Sequence, residues 1–262
     1  MDVCYQNTDT ENRYYKGVEL LDEETRTFLR DGIKKNLLDS EQKESLSDLI
    51  KALPKETGFE MSESLLVDIQ SLENDSVNVP TWRIGEAMAE VVLENGFQCR
   101  FHWNELRDAR NPKGNKTGAD LVGFIESEGQ ILFLFGEVKT SSEIQNRPPQ
   151  VMTKSDGIEN QLKELYNSRE KRLILISYLQ SKIGLLPDGN KFKSDFTEAL
   201  TNYYKNHHQL IGVLIRDVES DETDLKASFE RLKTKIVNPQ GLSLLAIYTT
   251  ISKSKWLKII NE

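Results

Sequence analysis

The alternation of apolar and polar positions divides the chain at about residue 80. Residues 1–18 are polar and without period, and read as a tail or an edge segment. From Leu20 the spacing becomes helical. One helix is predicted over Asp22–Leu38, with Phe28, Leu29 and Ile33 on one side, a second over Ser40–Leu53 and a third over Ser62–Leu72. Asn74–Pro80 (NDSVNVP) reads as a linker. From Thr81 an apolar stripe of Trp82, Ile84, Ala87, Met88, Val91 and Val92 predicts a helix to about Glu94. Asn95-Gly96 stops it, and a strand over Phe97–Trp103 follows. A helix is expected over about Ser155–Glu170, then strands at Leu173–Leu179, Leu210–Ile215 and Leu242–Thr249. These are separated and followed by helices over Lys191–Lys205, Asp224–Lys235 and Ser252–Ile260. Strands alternating with helices predict an α/β protein with a mixed central sheet.

The most informative stretch is Gly118–Ser142, GADLVGFIESEGQILFLFGEVKTSS. An apolar run from Leu121 to Ile125 and another from Ile131 to Phe135 flank the polar turn Glu126-Ser127-Glu128-Gly129, which is a hairpin pattern. Glu137 and Lys139 are two apart, so both project from one face of the second strand. A short turn brings Asp120, at the start of the first strand, beside them. Two carboxylates and an ammonium then meet at the end of an apolar hairpin, where burying charge is costly without a compensating ligand. Facing carboxylates suit a hard divalent cation such as Mg²⁺ or Mn²⁺. The plainer alternative is a turn-capping Asp120 beside a solvated Glu137–Lys139 ion pair.

Charge and composition narrow the classes. The net charge of −8 is unevenly placed: residues 1–80 hold 9 Lys and Arg against 18 Asp and Glu, whereas residues 81–262 hold 25 against 24. The acidity belongs to the N-terminal third, and the part bearing the hairpin can still present a local phosphate-binding patch. No apolar run approaches the roughly 18 residues of a membrane span, and the N-terminus lacks the apolar core of a signal peptide. Cys4 and Cys99 make no disulfide framework and read as free thiols of a cytoplasmic protein. Three histidines argue against a histidine-based metal site. No Gly-x-x-x-x-Gly-Lys-[Ser/Thr] occurs, which excludes a P-loop ATPase.

The hairpin resembles the core of the PD-(D/E)xK nuclease superfamily, the restriction-endonuclease-like fold. Asp120 matches its first acid and Glu137-Val138-Lys139 its (D/E)xK tripeptide, while Ala119 stands where the family name has Pro. The resemblance covers about Thr81–Leu179. It implies metal binding by Asp120, Glu137 and the backbone carbonyl of Val138, a water positioned by Lys139, and Mg²⁺ or Mn²⁺ as cofactor. The first helix of that family often carries a further metal-site glutamate, which makes Glu86 (in Gly-Glu-x-x-Ala) a candidate. Read alone, Glu86 is more readily a solvated neighbour of its stripe, since glutamate is seldom buried unpaired.

The same resemblance makes DNA the expected substrate. Arg107, Arg110, Lys113 and Lys116, in the polar loop Asn104–Gly118, become candidate backbone contacts, as do Lys154 and Gln161 (with Lys163 as an alternative) around the following helix. A Gln-x-x-x-Tyr exonuclease signature is not met, because Tyr166 lies five residues after Gln161. Length, layout and the GExxA, GAD and GEVKTS motifs resemble the nuclease subunits of Hachiman-type anti-phage defence systems, which implies restraint by a partner such as a helicase. The domain reading is an acidic, mainly helical region over 1–80, a lid or a docking surface, followed by the nuclease core with its α/β extension over 81–262.

Overall fold

The strands at the centre of the molecule are almost wholly apolar, as strands covered on both faces must be. In the computed structural model, described for residues 1–38, 44, 46–52, 58, 62–73, 76–101, 118–184 and 186–262, they are β5 (Gln130–Ser141), β6 (Gln209–Arg216) and β7 (Gly241–Thr249), and every residue of β6 and β7 is buried. With β2 (Arg13–Leu20) they form four parallel neighbours in a seven-stranded sheet of order β1-β2-β7-β6-β5-β4-β3. Each side is finished by antiparallel pairing: β1 (Asp2–Thr10) on β2, and β4 (Leu121–Ser127) with β3 (Cys99–Arg100) beside β5.

Helices cover both faces and make two cores. After β2 the chain runs through α1 (Asp22–Thr27), a π-helical stretch Phe28–Ile33 and α2 (Lys34–Leu38). Residues 46–52 and α3 (Glu63–Leu72) are also helical. One face, bearing Leu134, Val138, Val213 and Ile247, packs against Leu29, Ile33, α4 (Thr81–Gly96) and α10 (Trp256–Ile260). The other, bearing Phe133, Phe135, Leu210, Leu214 and Leu244, packs against α6 (Ile158–Asn167), α7 (Arg169–Ile183), α8 (Lys191–Tyr204) and α9 (Lys226–Lys233). A short α5 (Gln150–Thr153) leads into α6.

Several expectations are corrected. Residues 1–18 are no tail, and the edge-segment alternative holds for β1, whereas β2 is an interior strand that buries Tyr15 on one face and Val18 and Leu20 on the other. Residues 2–20 are therefore part of the sheet, and the helical stretches of the N-terminal region begin at Asp22. The strand expected at Leu173–Leu179 is the middle of helix α7. Its buried residues Leu175, Ile176, Leu179 and Ile183 repeat at helical spacing, Ile174 is exposed, and the Ser168 hydroxyl caps the helix by accepting from the Lys171 N–H at 3.2 Å. The single helix expected over Ser155–Glu170 is α6 plus the first turn of α7, divided at Ser168. Of the expected strand Phe97–Trp103, Cys99 and Arg100 pair in the sheet among the described residues, and His102 and Trp103 lie outside them. Among the described residues no helix is long and apolar enough to cross a membrane.

Candidate active site

The turn Glu128-Gly129 sets the register that builds the site. Both residues have positive φ (51° and 68°), which glycine adopts freely. The hairpin then pairs Ser127 with Gln130 and continues without a shift to Leu121 opposite Gly136. At Asp120 the register slips by one: its N–H donates to the carbonyl of Gly136 (3.0 Å), the residue already paired with Leu121. Residues two apart share a face, so Glu137 and Lys139 follow Phe133 and Phe135 onto the face covered by α6. The Asp120 carboxylate reaches them from the start of β4, against the Val138 N–H and within range of Glu137.

The contacts are short and mixed in sign. Asp120 Oδ2 accepts from the Val138 N–H at 3.0 Å, and Lys139 Nζ donates to Glu137 Oε1 at 2.6 Å. Glu137 is 6% exposed. Burial above all, and then the negative charge of Asp120, push its carboxyl up to about 7, against the downward pull of the Lys139 ammonium. A strand residue turns its N–H and C=O to the same side. The Val138 carbonyl is thus directed to the β4 side, where Asp120 lies. Two carboxylates and one backbone carbonyl form an oxygen set that fits a divalent cation keeping several waters.

Glu86 is not shown joining them. It lies on α4, against the opposite face of the sheet, with its carboxylate 3.5 Å from the Arg83 guanidinium. The Cβ position of neighbouring Gly85 would come within 2.3 Å of Thr140 Oγ1, so the helix is seated directly against β5. Among the described residues no group of three or more His, Cys, Asp or Glu comes together as a metal site.

Gln161 is better placed. Across α6, Glu159 is held by Arg231 of α9, which packs over β2 and β7. Two residues along a helix differ by about 200°, so Gln161 is on the opposite flank, turned toward β5. Lys154 is exposed after α5, where its charge helps to hold Glu143 below the usual carboxylate range, after hydrogen bonds from Asn146 and the Gln150 N–H. Lys163 is drawn to Glu159 at 3.7 Å. Arg107, Arg110, Lys113 and Lys116 lie outside the described residues.

Sequence reasoning missed a buried ionic network next to the site. Arg216, fully buried at the end of β6, donates to Asp224 Oδ2 (3.2 Å) and to the carbonyls of Ser141 (3.4 Å) and Glu143 (2.6 Å). Asp224 also accepts from Arg147 (3.3 Å) and from the Tyr248 hydroxyl (2.9 Å), which is 2.7 Å from that of Tyr5. The network fixes the chain leaving β5 immediately after Lys139. Its signal was an arginine closing the otherwise apolar strand Leu210–Ile215. Comparison with protein-family models, curated proteins and solved structures finds no match to this chain.

Proposed function

We propose that this chain is a metal-dependent nuclease that hydrolyses phosphodiester bonds of DNA, with the hairpin as a PD-(D/E)xK-type active site on a restriction-endonuclease-like fold. The observation that carries the reading is the convergence of Asp120, Glu137 and Lys139 on one face, with Glu137 buried against both a carboxylate and an ammonium. Asp120, Glu137 and the Val138 carbonyl would hold Mg²⁺ or Mn²⁺. When bound, such a cation acidifies a coordinated water and neutralises charge on the phosphate. Asp120 keeps one oxygen committed to the Val138 N–H, which holds its carboxylate beside that of Glu137. Lys139, once a cation takes its place at Glu137, is released to orient water or a phosphate oxygen. Gln161 and Lys154 would supply contacts to the nucleic-acid backbone. The acidic N-terminal region would serve a regulatory partner such as a helicase, consistent with an effector role in anti-phage defence.

A second reading is a catalytically idle module of the same fold that binds nucleic acid or a protein. The Lys139–Glu137 ion pair, which engages both charges without a ligand, is the feature that favours it. Cleavage of supercoiled plasmid by the purified chain with Mg²⁺ or Mn²⁺ decides between them. Nicking that disappears in EDTA and falls at least 100-fold in Glu137→Ala and Lys139→Ala is the expected outcome. Undiminished cutting by both variants would remove the proposed site. Calorimetry reporting no Mn²⁺ binding, together with no cutting, would select the idle module.

A further inference from the structure

A second group of side chains points to a ligand and plays no part in the chemistry above. His208 precedes β6 and is 2% exposed, and among the described residues neither ring nitrogen has a hydrogen-bond partner. Its ring packs on Tyr203 (centroids 5.6 Å apart) and edge-on to Phe135 (6.1 Å), which hold it in place. A buried imidazole with both nitrogens unmatched is disfavoured, and an incoming ligand could satisfy it. Burial first, then the charges of Arg172 and His207, lower its pKa to about 3. At neutral pH the ring therefore offers one donor and one acceptor.

His208 lines a cleft of about 240 Å³ shared with Arg169, Arg172, Tyr203, Tyr204 and Asn206. Among the described residues no carboxylate lines it, and two guanidinium groups do. Arg172 is 9% exposed and fixed by the carbonyl of Tyr166 (2.5 Å) and the hydroxyl of Tyr203 (3.3 Å). Arg169 is exposed at the rim, 6.0 Å above the ring of Tyr204, itself 63% exposed. The wall thus combines cationic donors for an oxyanion, an exposed aromatic ring for a planar base, and a neutral donor–acceptor edge deeper in. The volume falls below the roughly 300–1,000 Å³ of sites that engulf drug-sized ligands, which suits one nucleotide held partly in the open.

We propose that this cleft, between the first turn of α7 and the end of α8, binds a nucleoside monophosphate, with the phosphate at Arg169 and Asn206, the base on Tyr204 and a polar edge of the ligand at His208. Leu134 pairs with Gln209, so His208 stands beside Phe133, four residues along β5 from Glu137 and roughly 13 Å away. The assignment does not rest on the acid pair.

Calorimetric titration of the full chain with AMP, inorganic phosphate and adenosine tests it, alongside the imidazole ¹⁵N resonances of His208. AMP is expected to bind at least tenfold more tightly than either fragment and to shift the His208 resonances. Arg169→Gln, at an exposed position, should weaken AMP about tenfold and leave adenosine unchanged. His208→Phe keeps the ring packing, should unfold no earlier than wild type without ligand, and should also weaken AMP. AMP binding no tighter than phosphate or adenosine would overturn the proposal, as would equal affinity in both variants or no binding at millimolar AMP.

Discussion

Glu137 is where burial and charge compete most directly. Its carboxyl is raised from 4.5 to about 7, so the folded chain holds a proton there that the unfolded chain has lost. Stability owed to this group is therefore complete below pH 4.5 and declines as pH rises to about 7. Glu137→Gln in EDTA should be more stable than wild type above pH 7, by up to about 3 kcal/mol, and no more stable below pH 4.5. Urea unfolding at pH 4 and pH 8 checks both the sign and the window. The same proton must leave when a cation binds, so Mn²⁺ affinity should rise with pH up to about 7 and then level off. Arg216 is the complementary case. Arg216→Met strands Asp224 with less compensation and should cost about 3–5 kcal/mol, read as an earlier urea midpoint.

Among the elements, β5 shows how close packing and candidate chemistry share one strand. A side chain at Gly136 would press within 2.7 Å of the Ile211 carbonyl and 2.5 Å of its Cγ2, and a backbone oxygen cannot turn aside. Gly136→Ala should destabilise by about 1–3 kcal/mol and shift Glu137 with it, measurable as a lowered Tm and weaker Mn²⁺ binding. The hairpin was legible in the sequence because two apolar runs around a polar turn fix its register from Ser127–Gln130 to Leu121–Gly136, which leaves Asp120 at the strand end beside Glu137. The α7 segment was misread because Leu173–Ile176 is a continuous apolar run, which by itself fits a buried strand or a helix. Only the later inward residues, Leu179 and Ile183, reveal the period. The Arg216 network was not legible, since it joins residues from five separate segments that only the fold assembles.

At the scale of the whole molecule, the acidic N-terminal third is built into the sheet rather than set beside it. Its alternation is masked by polar side chains used for specific ends. Arg13 is buried because it donates to the carbonyls of Gln240 (2.8 Å) and Ile236 (2.7 Å), and the Tyr15 hydroxyl donates to Glu222. Such residues look like surface in a sequence and act as staples in the fold. Val77 is likewise tied through its N–H and carbonyl to Asn261, at distances of 2.8 and 2.9 Å. The pairing of β2 with β7, Arg13 on Leu242 through Leu20 on Thr249, also bears on how the chain is made. As the ribosome releases it, the second strand has no neighbour but β1 until β7 (Gly241–Thr249) emerges. The sheet closes only then, and such distant pairings slow folding. A chain ending at residue 240 should accordingly remain protease-sensitive across residues 1–38, whereas the full chain resists. Nascent copies would carry β2 with its interior edge open until β7 emerges, the interval in which a chaperone has most to protect.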